Sequence, residues 1–265
     1  MSDIRVILSG VTGRMGTAVL AEMKLTDGIA LYAGLYKKED GQLPHEEKIF
    51  VEYDTVFQYL KETGVRPLKL ADVIIDFSVP RAVIHLLREA QLPAVVGVTG
   101  FSEKQLREIG EISKEIPIVQ DYNFSPGVCI MTTVAEMIAQ GLGVLCDVDI
   151  LEAHHGMKVD APSGTAIKLA KAIAAGRGQK YDEVVRMSRE GKTGIRPVGE
   201  IGIQALRLRG VVGEHTVYFA DTHERIELTH KAGSRAVFAQ GAVRAAKWVI
   251  NQPPGLYTMK DVLGL

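Results

Sequence analysis

The sequence predicts an α/β protein with two parts, a doubly wound parallel sheet in the first half and an α+β domain in the second. Up to about residue 119, short apolar runs alternate with helix-length amphipathic segments, which is typical of a parallel sheet covered on both faces. After the segment NFSPG, strand-like runs alternate between apolar and polar residues. The length of 265 residues also favours two domains over a single core.

In the first half, five apolar runs predict strands: IRVILSG, IALYAGL, ADVIIDFS, AVVGVTG and IPIVQDYN. Between them, three amphipathic segments predict helices: RMGTAVLAEM, PRAVIHLLREA and SEKQLREIGEIS. Strands that are apolar throughout are buried on both sides, so helices must cover both faces of the sheet. This order of elements predicts a Rossmann-like domain.

In the second half, a helix from about Val128 precedes the strand DVDILEAHH and the helix GTAIKLAKAIAA. The runs IGIQALRL, HTVYFAD and RIELTHKA predict an antiparallel or mixed sheet, with a hairpin at ADTHER. One sheet face can pack on helices. The other, carrying residues such as Val217 and Phe219 or their neighbours, needs cover that self-association would provide. The predicted domains are residues 1–126 with 236–265, the last helix returning to the first domain, and residues 127–235.

Composition favours small-molecule chemistry. The formal net charge is -1 and no stretch is dense in Lys and Arg, so neither nucleic acid nor a membrane is an expected partner. The two cysteines, Cys129 and Cys146, form no CxxC pair and favour a reducing compartment. The N-terminal MSDIRVILSG lacks signal-peptide features, and the longest apolar segment is interrupted by Glu136 and Gln140. We expect a cytoplasmic protein.

The segment SGVTGRMG follows the first predicted strand and opens a helix, with Gly10, Gly13 and Gly16 spaced as GxxGxxG. Glycines there allow a tight turn and a close approach of backbone N–H groups to a pyrophosphate. Arg14 could pair with a phosphate group. The alternative is that the glycines serve only a tight turn, since the spacing departs from GxGxxG.

Three further segments follow predicted strands, at the edge where open parallel sheets bind ligands. The second strand ends in Tyr36-Lys37-Lys38, which has no acid for a ribose 2′-hydroxyl but offers ammonium groups for a 2′-phosphate. Two lysines could equally be a solvated loop. The segments GVTG, from Gly97 to Gly100, and DYNF, from Asp121 to Phe124, complete the predicted nucleotide site.

A second site is predicted within EAHHGMKVDAPSGTA, which places His154 and His155 close to Lys158. A metal site is disfavoured because adjacent residues on a strand point to opposite faces. The structural alternative is one packed and one solvated histidine. Lys158 is a candidate proton donor and His154 a candidate acid.

The same motif ends in a helix start that suits a carboxylate. Ser163, Gly164 and Thr165 can bind it through backbone N–H groups and hydroxyls, and His155 can pair with another carboxylate. The pattern therefore predicts a receptor for a small dicarboxylate that accepts a hydride from a nicotinamide and a proton from the loop.

These motifs, with SREGKTG, GEHTVYFAD and RIELTHKA, resemble those of the dihydrodipicolinate reductase family along essentially the whole chain. The resemblance implies NAD(P)H-dependent reduction of 4-hydroxy-tetrahydrodipicolinate to tetrahydrodipicolinate in lysine and diaminopimelate biosynthesis. It also implies a homotetramer built through the second domain's sheet. No metal is expected.

The resemblance also implies roles for single residues. His154 is similar to the family's proton donor or acceptor and Lys158 to its proton donor, while His155, Gly164 and Thr165 match substrate contacts. The matching cofactor contacts are Gly10, Val11, Thr12, Gly13, Arg14, Met15, Gly97, Val98, Thr99, Asp121, Tyr122, Asn123 and Phe124; Lys37 is added from its position.

The sequence departs from the family pattern at two positions. Tyr36 stands where many members carry an acid, so we expect NADPH to be preferred and NADH to be accepted. Val79 replaces an arginine that some members carry. Two alternatives remain: another amino-acid-pathway dehydrogenase, which would not need the His-His-x-x-Lys loop, and a non-catalytic NADPH-sensing regulator, which would not need two proton donors.

Overall fold

The computed structural model describes residues 3–36, 50–52 and 70–265. The chain divides into two compact units, one formed by Met1–Pro126 with Arg235–Leu265 and the other by Gly127–Ser234. The first unit contains a seven-stranded sheet and the second a five-stranded one. The predicted fold class, a Rossmann-like parallel sheet plus an α+β domain, is confirmed.

The strands are β1 (Ile4–Ser9), β2 (Ile29–Tyr36), β3 (Phe50–Glu52), β4 (Val73–Asp76), β5 (Ala94–Val96), β6 (Pro117–Gln120), β7 (Asp147–His154), β8 (Val185–Met187), β9 (Ile201–Arg207), β10 (Gly213–Ala220), β11 (Arg225–Ala232) and β12 (Gly255–Tyr257). The helices are α1 (Arg14–Leu25), α2 (Pro80–Ala90), α3 (Glu103–Ile112), α4 (Pro126–Leu142), α5 (Gly164–Gly176), α6 (Tyr181–Val184), α7 (Ala236–Val249) and α8 (Met259–Leu263).

The sheet of the first unit has the order β12-β6-β5-β4-β1-β2-β3, and every neighbouring pair is parallel. From β3 to β6 this is the strand order of dinucleotide-binding folds. The order reverses between β1 and β4, whose last residues, Ser9 and Asp76, lie opposite each other. Ligands of open parallel sheets bind at the carboxyl ends of the strands at such a reversal.

Apolar burial on both faces holds this sheet in place. Val6, Ile7 and Leu8 in β1 are all fully buried, although successive side chains point to opposite faces. Ile7 belongs to a core cluster that includes residues of α2 and α3. Helix α7 packs against α1 and the central strands.

The sheet of the second unit is mixed, with the order β11-β10-β7-β9-β8. Strands β10 and β11 form an antiparallel hairpin, as ADTHER predicted, and Asp221 N donates to Glu224 O at 2.9 Å in its turn. One face of the sheet packs on α4 and α5 through a single apolar cluster.

The sequence left open whether Val217 and Phe219 or their neighbours line the uncovered face, and the first alternative is wrong. Both side chains are buried, at 0% and 1% exposure, in the cluster with α4 and α5, so they do not line the open face. Their half-buried neighbours Thr216 and Tyr218 point to the opposite side. Alternation along the strand separates the two faces but does not show which one the helices cover.

Two short elements near the C-terminus, β12 and α8, were not predicted. Strand β12 spans three residues and extends the parallel sheet beyond β6. A three-residue strand is too short to show a hydrophobic period. Among the helices in the part of the chain described here, none is long and apolar enough to cross a membrane.

The contact of α7 with the segment after β6 depends on a glycine. A Cβ on Gly241 would lie 1.7 Å from the backbone oxygen of Phe124, so Gly241→Ala must displace the helix. We expect a loss of about 1–3 kcal/mol in unfolding free energy. Gly110→Ala, in α3 with nothing within 4 Å of its Cβ, should gain roughly 0.5–1 kcal/mol. Urea denaturation of both variants checks this, and equal effects would contradict it.

Candidate functional site

The loop between β1 and α1 turns tightly because two of its glycines allow close backbone contacts. Gly10 has a φ of +75°, and a Cβ there would lie 2.8 Å from the backbone oxygen of Phe77. A Cβ on Gly16 would lie 2.1 Å from the Gly10 oxygen. Side chains at either position would push the helix away from the strand ends, so these glycines have a steric role.

The start of α1 has the features of an anion site. Its N-cap, Gly13, provides no side-chain hydrogen bond, and the first turn contains no acidic residue. The amides of Gly10 and Val11 donate to Leu35 O, and that of Gly13 to Gly10 O. The donors that the loop presents along the helix axis are therefore those of the first turn, at Arg14 and Met15. This cradle fits the diphosphate of a dinucleotide.

Phe77 links the other predicted nucleotide segments. A Cβ on Gly97 would lie 2.1 Å from the Phe77 ring, so the GVTG backbone rests directly on that ring. The ring also meets Phe124 edge to face, with 5.8 Å between centroids. The segments after β4, β5 and β6 are thereby brought together at the carboxyl edge of the sheet. Val98 is buried and Thr99 exposed.

Within DYNF, two side chains hold the loop. The Asp121 carboxylate accepts from Asn123 N and from Met259 N, both at 3.3 Å, and the Asn123 side chain accepts from Ser125 N at 2.9 Å. Asp121 thus joins the loop to α8, while Tyr122 is 59% exposed. Thr12 is half-buried in the glycine loop. Lys37 and Lys38 lie outside the described residues.

The second predicted site surrounds a carboxylate, that of Glu152, to which the sequence assigns no role. Glu152 in β7 has no exposed surface. Its oxygens are 2.6 Å from His154 Nδ1 and 3.1 Å from Ser163 N. Arg207 of β9 donates to both oxygens, at 2.9 and 3.1 Å. Because side chains two apart on a strand share a face, Glu152 and His154 point the same way.

These contacts determine the charge of the pair. Burial raises the pKa of Glu152, but the hydrogen bonds from Arg207 and His154 outweigh it and bring the pKa below its usual value. Burial lowers the pKa of His154, and the hydrogen bond to Glu152 only partly opposes this. Near neutral pH, a carboxylate therefore faces a neutral imidazole.

Lys158 lies in the loop after β7 and forms an ion pair with Asp160 in the same loop. Its Nζ donates to both oxygens of Asp160 at 2.8 Å, and this contact lowers the pKa of Asp160. The Asp160 backbone oxygen accepts from Arg207 at 2.7 Å. Arg207 therefore connects Glu152 to the loop that carries Lys158. His155 is half-buried.

The start of α5 is capped by Ser163, whose hydroxyl accepts from Ala166 N at 3.1 Å. The same hydroxyl lies 2.9 Å from His215 Nε2. Gly164 and Thr165 form the first turn, which contains no acidic residue. The positive end of this helix, beside Lys158 and His154, suits a carboxylate.

Sequence reasoning gave no role to three residues of this cluster: Glu152, Arg207 and His215. Glu152 stands in the quoted motif, and its two-residue spacing from His154 was the available signal. The other two come from different strands, far along the chain. His215 is buried, and burial lowers its pKa to about 3. Its ring lies 5.2 Å from that of His154. Among the described residues, no group of three or more His, Cys, Asp or Glu could hold a metal ion.

Two models of one protein family together match almost the whole chain. Residues 4–124 match the family model described as "Dihydrodipicolinate reductase, N-terminus", and residues 127–263 match the one for its C-terminus. The chain is an oxidoreductase with a Rossmann-type domain. It belongs to the dihydrodipicolinate reductase family, as the motifs indicated.

Similar proteins include the 4-hydroxy-tetrahydrodipicolinate reductases of Thiobacillus denitrificans, 42% identical, and Syntrophobacter fumaroxidans, 40% identical. Each match covers 99% of both chains. A solved structure of dipicolinate-bound dihydrodipicolinate reductase from Paenisporosarcina sp. TG-14 has a TM-score of 0.75 at 26% identity. It covers 97% of each chain.

The buried His215 should make stability depend on pH. Its folded pKa, about 3, lies below the ordinary 6.5, so the unfolded chain binds a proton first and stability falls as pH drops from 6.5 toward 3. Between pH 6.5 and 5 the loss is about 2 kcal/mol. His215→Gln should remove this part of the slope. Urea denaturation at both pH values checks it, with His223→Gln, in the exposed turn, as control. Equal slopes in wild type and His215→Gln would contradict it.

Proposed function

We propose that this chain reduces 4-hydroxy-tetrahydrodipicolinate to tetrahydrodipicolinate with NAD(P)H, in lysine and diaminopimelate biosynthesis. The names of its relatives support this, as does the dipicolinate in the similar solved structure. The observation that carries the proposal is that hydrogen bonds of Glu152 and Arg207 connect His154 and the loop of Lys158 to the start of α5.

The first unit is proposed to bind the dinucleotide. Its tight glycine loop, the uncapped start of α1 and the backbone resting on Phe77 support this role. When bound, the nicotinamide supplies a hydride. The chain's own contribution there is to hold the diphosphate by first-turn amides and Arg14, and to position the remainder of the nucleotide through the GVTG and DYNF segments.

The second unit is proposed to bind the substrate. One carboxylate would be held at the start of α5 by Gly164 and Thr165, and His155 would pair with the other. Ser163, the third residue expected there, already donates its amide to Glu152 and caps α5 with its hydroxyl. The partner is thus a small dicarboxylate, with no nucleic acid, membrane or metal involved. A carboxylate arriving beside Lys158 competes with Asp160 for its ammonium group.

Lys158 is the proposed proton source. Loss of the 4-hydroxyl as water gives a C=C–C=N system, and hydride addition to that system leaves an anion that must take up one proton. His154 is neutral and donates from Nδ1 to Glu152, so its Nε2 is an acceptor in the free enzyme. Of the two candidates, the ammonium of Lys158 is therefore the donor, and His154 orients the reacting group by accepting a hydrogen bond.

We propose a cytoplasmic homotetramer assembled through the open face of the second sheet. That face carries half-buried Leu151, Thr216 and Tyr218, and Leu206 is 42% exposed. A sheet face of this kind, without its own helices, is suited to pairing with another copy.

The role of Lys158 can be tested by substitution. The assay mixes the protein with aspartate semialdehyde, pyruvate, a dihydrodipicolinate synthase and NADPH, and follows loss of the reduced nicotinamide's absorbance. Lys158→Ala should lower kcat by about 10²–10⁴ with nucleotide affinity unchanged, because it removes a general acid. His154→Ala should also lower kcat, while Thr165→Ala should mainly raise the substrate KM.

Lys171→Ala, on the exposed side of α5, is the matched control and should retain wild-type kcat. No absorbance loss by wild type above the synthase-free background would overturn the proposed function. Near-normal kcat in both Lys158→Ala and His154→Ala would overturn only the residue roles.

The proposed preference for NADPH rests on the strand end Leu35-Tyr36 and the two lysines that follow it. Replacing Lys37 and Lys38 together by Ala should raise KM for NADPH and leave that for NADH almost unchanged. A lysine contact worth about 1.4 kcal/mol would favour NADPH roughly tenfold. Added salt should weaken this preference, because it screens the charge of the 2′-phosphate. Steady-state kinetics with both nucleotides, with Lys24→Ala as control, tests this. Equal losses for both nucleotides would mean that the lysines form only a solvated loop.

A further inference from the structure

We propose that Glu152 is a positioning residue that sets the tautomer of His154, and that Arg207 moderates its influence. The proposal rests on the proposed role of His154 in the reductase reaction. Glu152 has no exposed surface, and its oxygens are bound by His154, Ser163 and Arg207, so in this scheme it acts through His154.

The Glu152 carboxylate is held so that it can act on the imidazole in only one way. Oε2 faces His154 Nδ1 and accepts from Arg207 Nη1, while Oε1 accepts from Ser163 N and Arg207 Nη2. The two oxygens are thus bound from three different elements, β7, β9 and the start of α5. Rotation of the carboxylate would break at least two of these hydrogen bonds.

The fixed carboxylate selects one form of the ring. An ionised carboxylate only accepts hydrogen bonds, so the neutral imidazole must carry its proton on Nδ1 and its lone pair on Nε2. On the Nε2 side, Gly213 opens β10, and a Cβ there would lie 3.1 Å from Nε2. A side chain at this position would therefore crowd the lone pair on Nε2, and glycine avoids that contact.

Four charged or titratable groups act on His154 from the elements around it. Glu152 on β7 favours the protonated ring, whereas Arg207 on β9 and Lys158 in the following loop disfavour it. The fourth, His215 on β10, is neutral near pH 7. Removing Glu152 and removing Arg207 should therefore shift the titration of His154 in opposite directions, although both changes disrupt the same hydrogen-bonded cluster.

The experiment compares Glu152→Gln with Arg207→Met in the full-length protein, using ¹⁵N-labelled histidine. In wild type, NMR should show the His154 proton on Nδ1. Glu152→Gln should lower the His154 pKa, and the associated limb of the kcat/KM profile, by about one pH unit or more. Arg207→Met should raise both. The midpoint of this limb follows the His154 pKa, so it moves down in Glu152→Gln and up in Arg207→Met whether catalysis needs the neutral or the protonated ring.

Glu214→Gln is the matched control, because it makes the same substitution on the face of the sheet away from Glu152 and His154. On that face Glu214 pairs with Lys231. It should leave the His154 titration and the pH profile unchanged. If Glu152→Gln does not fold, Glu152→Asp keeps the charge but shortens the side chain, and Arg207→Met still tests the upward shift.

A His154 proton on Nε2 in wild type would overturn the proposal. So would His154 pKa shifts of the same sign in both variants, because a merely structural role of Glu152 and Arg207 does not predict shifts in opposite directions. The NMR measurement needs no substrate. Failure of the proposed reductase activity would therefore leave the tautomer test intact, and the two failures are distinguishable.

Discussion

The buried carboxylate of Glu152 is the constraint on which the arrangement of the second unit's site depends. A carboxylate without any exposed surface is costly unless charged or well-oriented donors surround it. Here those donors are an arginine from β9, an imidazole from β7 and the backbone N–H at the start of α5. The hydrogen bonds that stabilise this one charge bring together the end of β7, the loop after it and the start of α5.

In the first unit, close backbone packing rather than a buried charge shapes the carboxyl edge of the sheet. Its nucleotide edge contains no buried ion-pair cluster of this kind among the described residues, and its shape comes from close backbone approach. Gly10 and Gly16 let the loop fold onto itself, and Gly97 lets a strand end rest on Phe77. A flexible diphosphate needs many amide donors in a tight curve, whereas a proton donor needs one ring or ammonium group in a defined orientation.

The ion pair between Lys158 and Asp160 also follows from the Glu152 cluster. Arg207 binds both Glu152 and the backbone oxygen of Asp160, which places the Asp160 carboxylate within reach of Lys158. An ammonium group in a partly buried loop needs a counter-charge. Asp160 provides it, so one arginine connects the buried Glu152 carboxylate to the ion pair of Lys158.

The hydrophobic periodicity of the sequence predicted most of the secondary structure. Apolar runs and their spacing predicted the parallel sheet, most of its helices and the hairpin between β10 and β11, because periodicity depends on near neighbours. The motif from Glu152 to Ala166 placed a histidine, a lysine and a helix start within fifteen residues by chain connectivity alone. The motifs also identified the family, which the family models confirm.

Only the tertiary structure decided what connects those groups. Arg207 is 55 residues from Glu152, and His215 is 52 from Ser163, so neither partner can be recognised from spacing. The face on which Val217 and Phe219 lie, and the addition of β12 beside β6, were likewise decided by packing. Sequence period separates the two faces of a strand, but which face is buried and which distant side chain meets a buried charge depend on the assembled sheet.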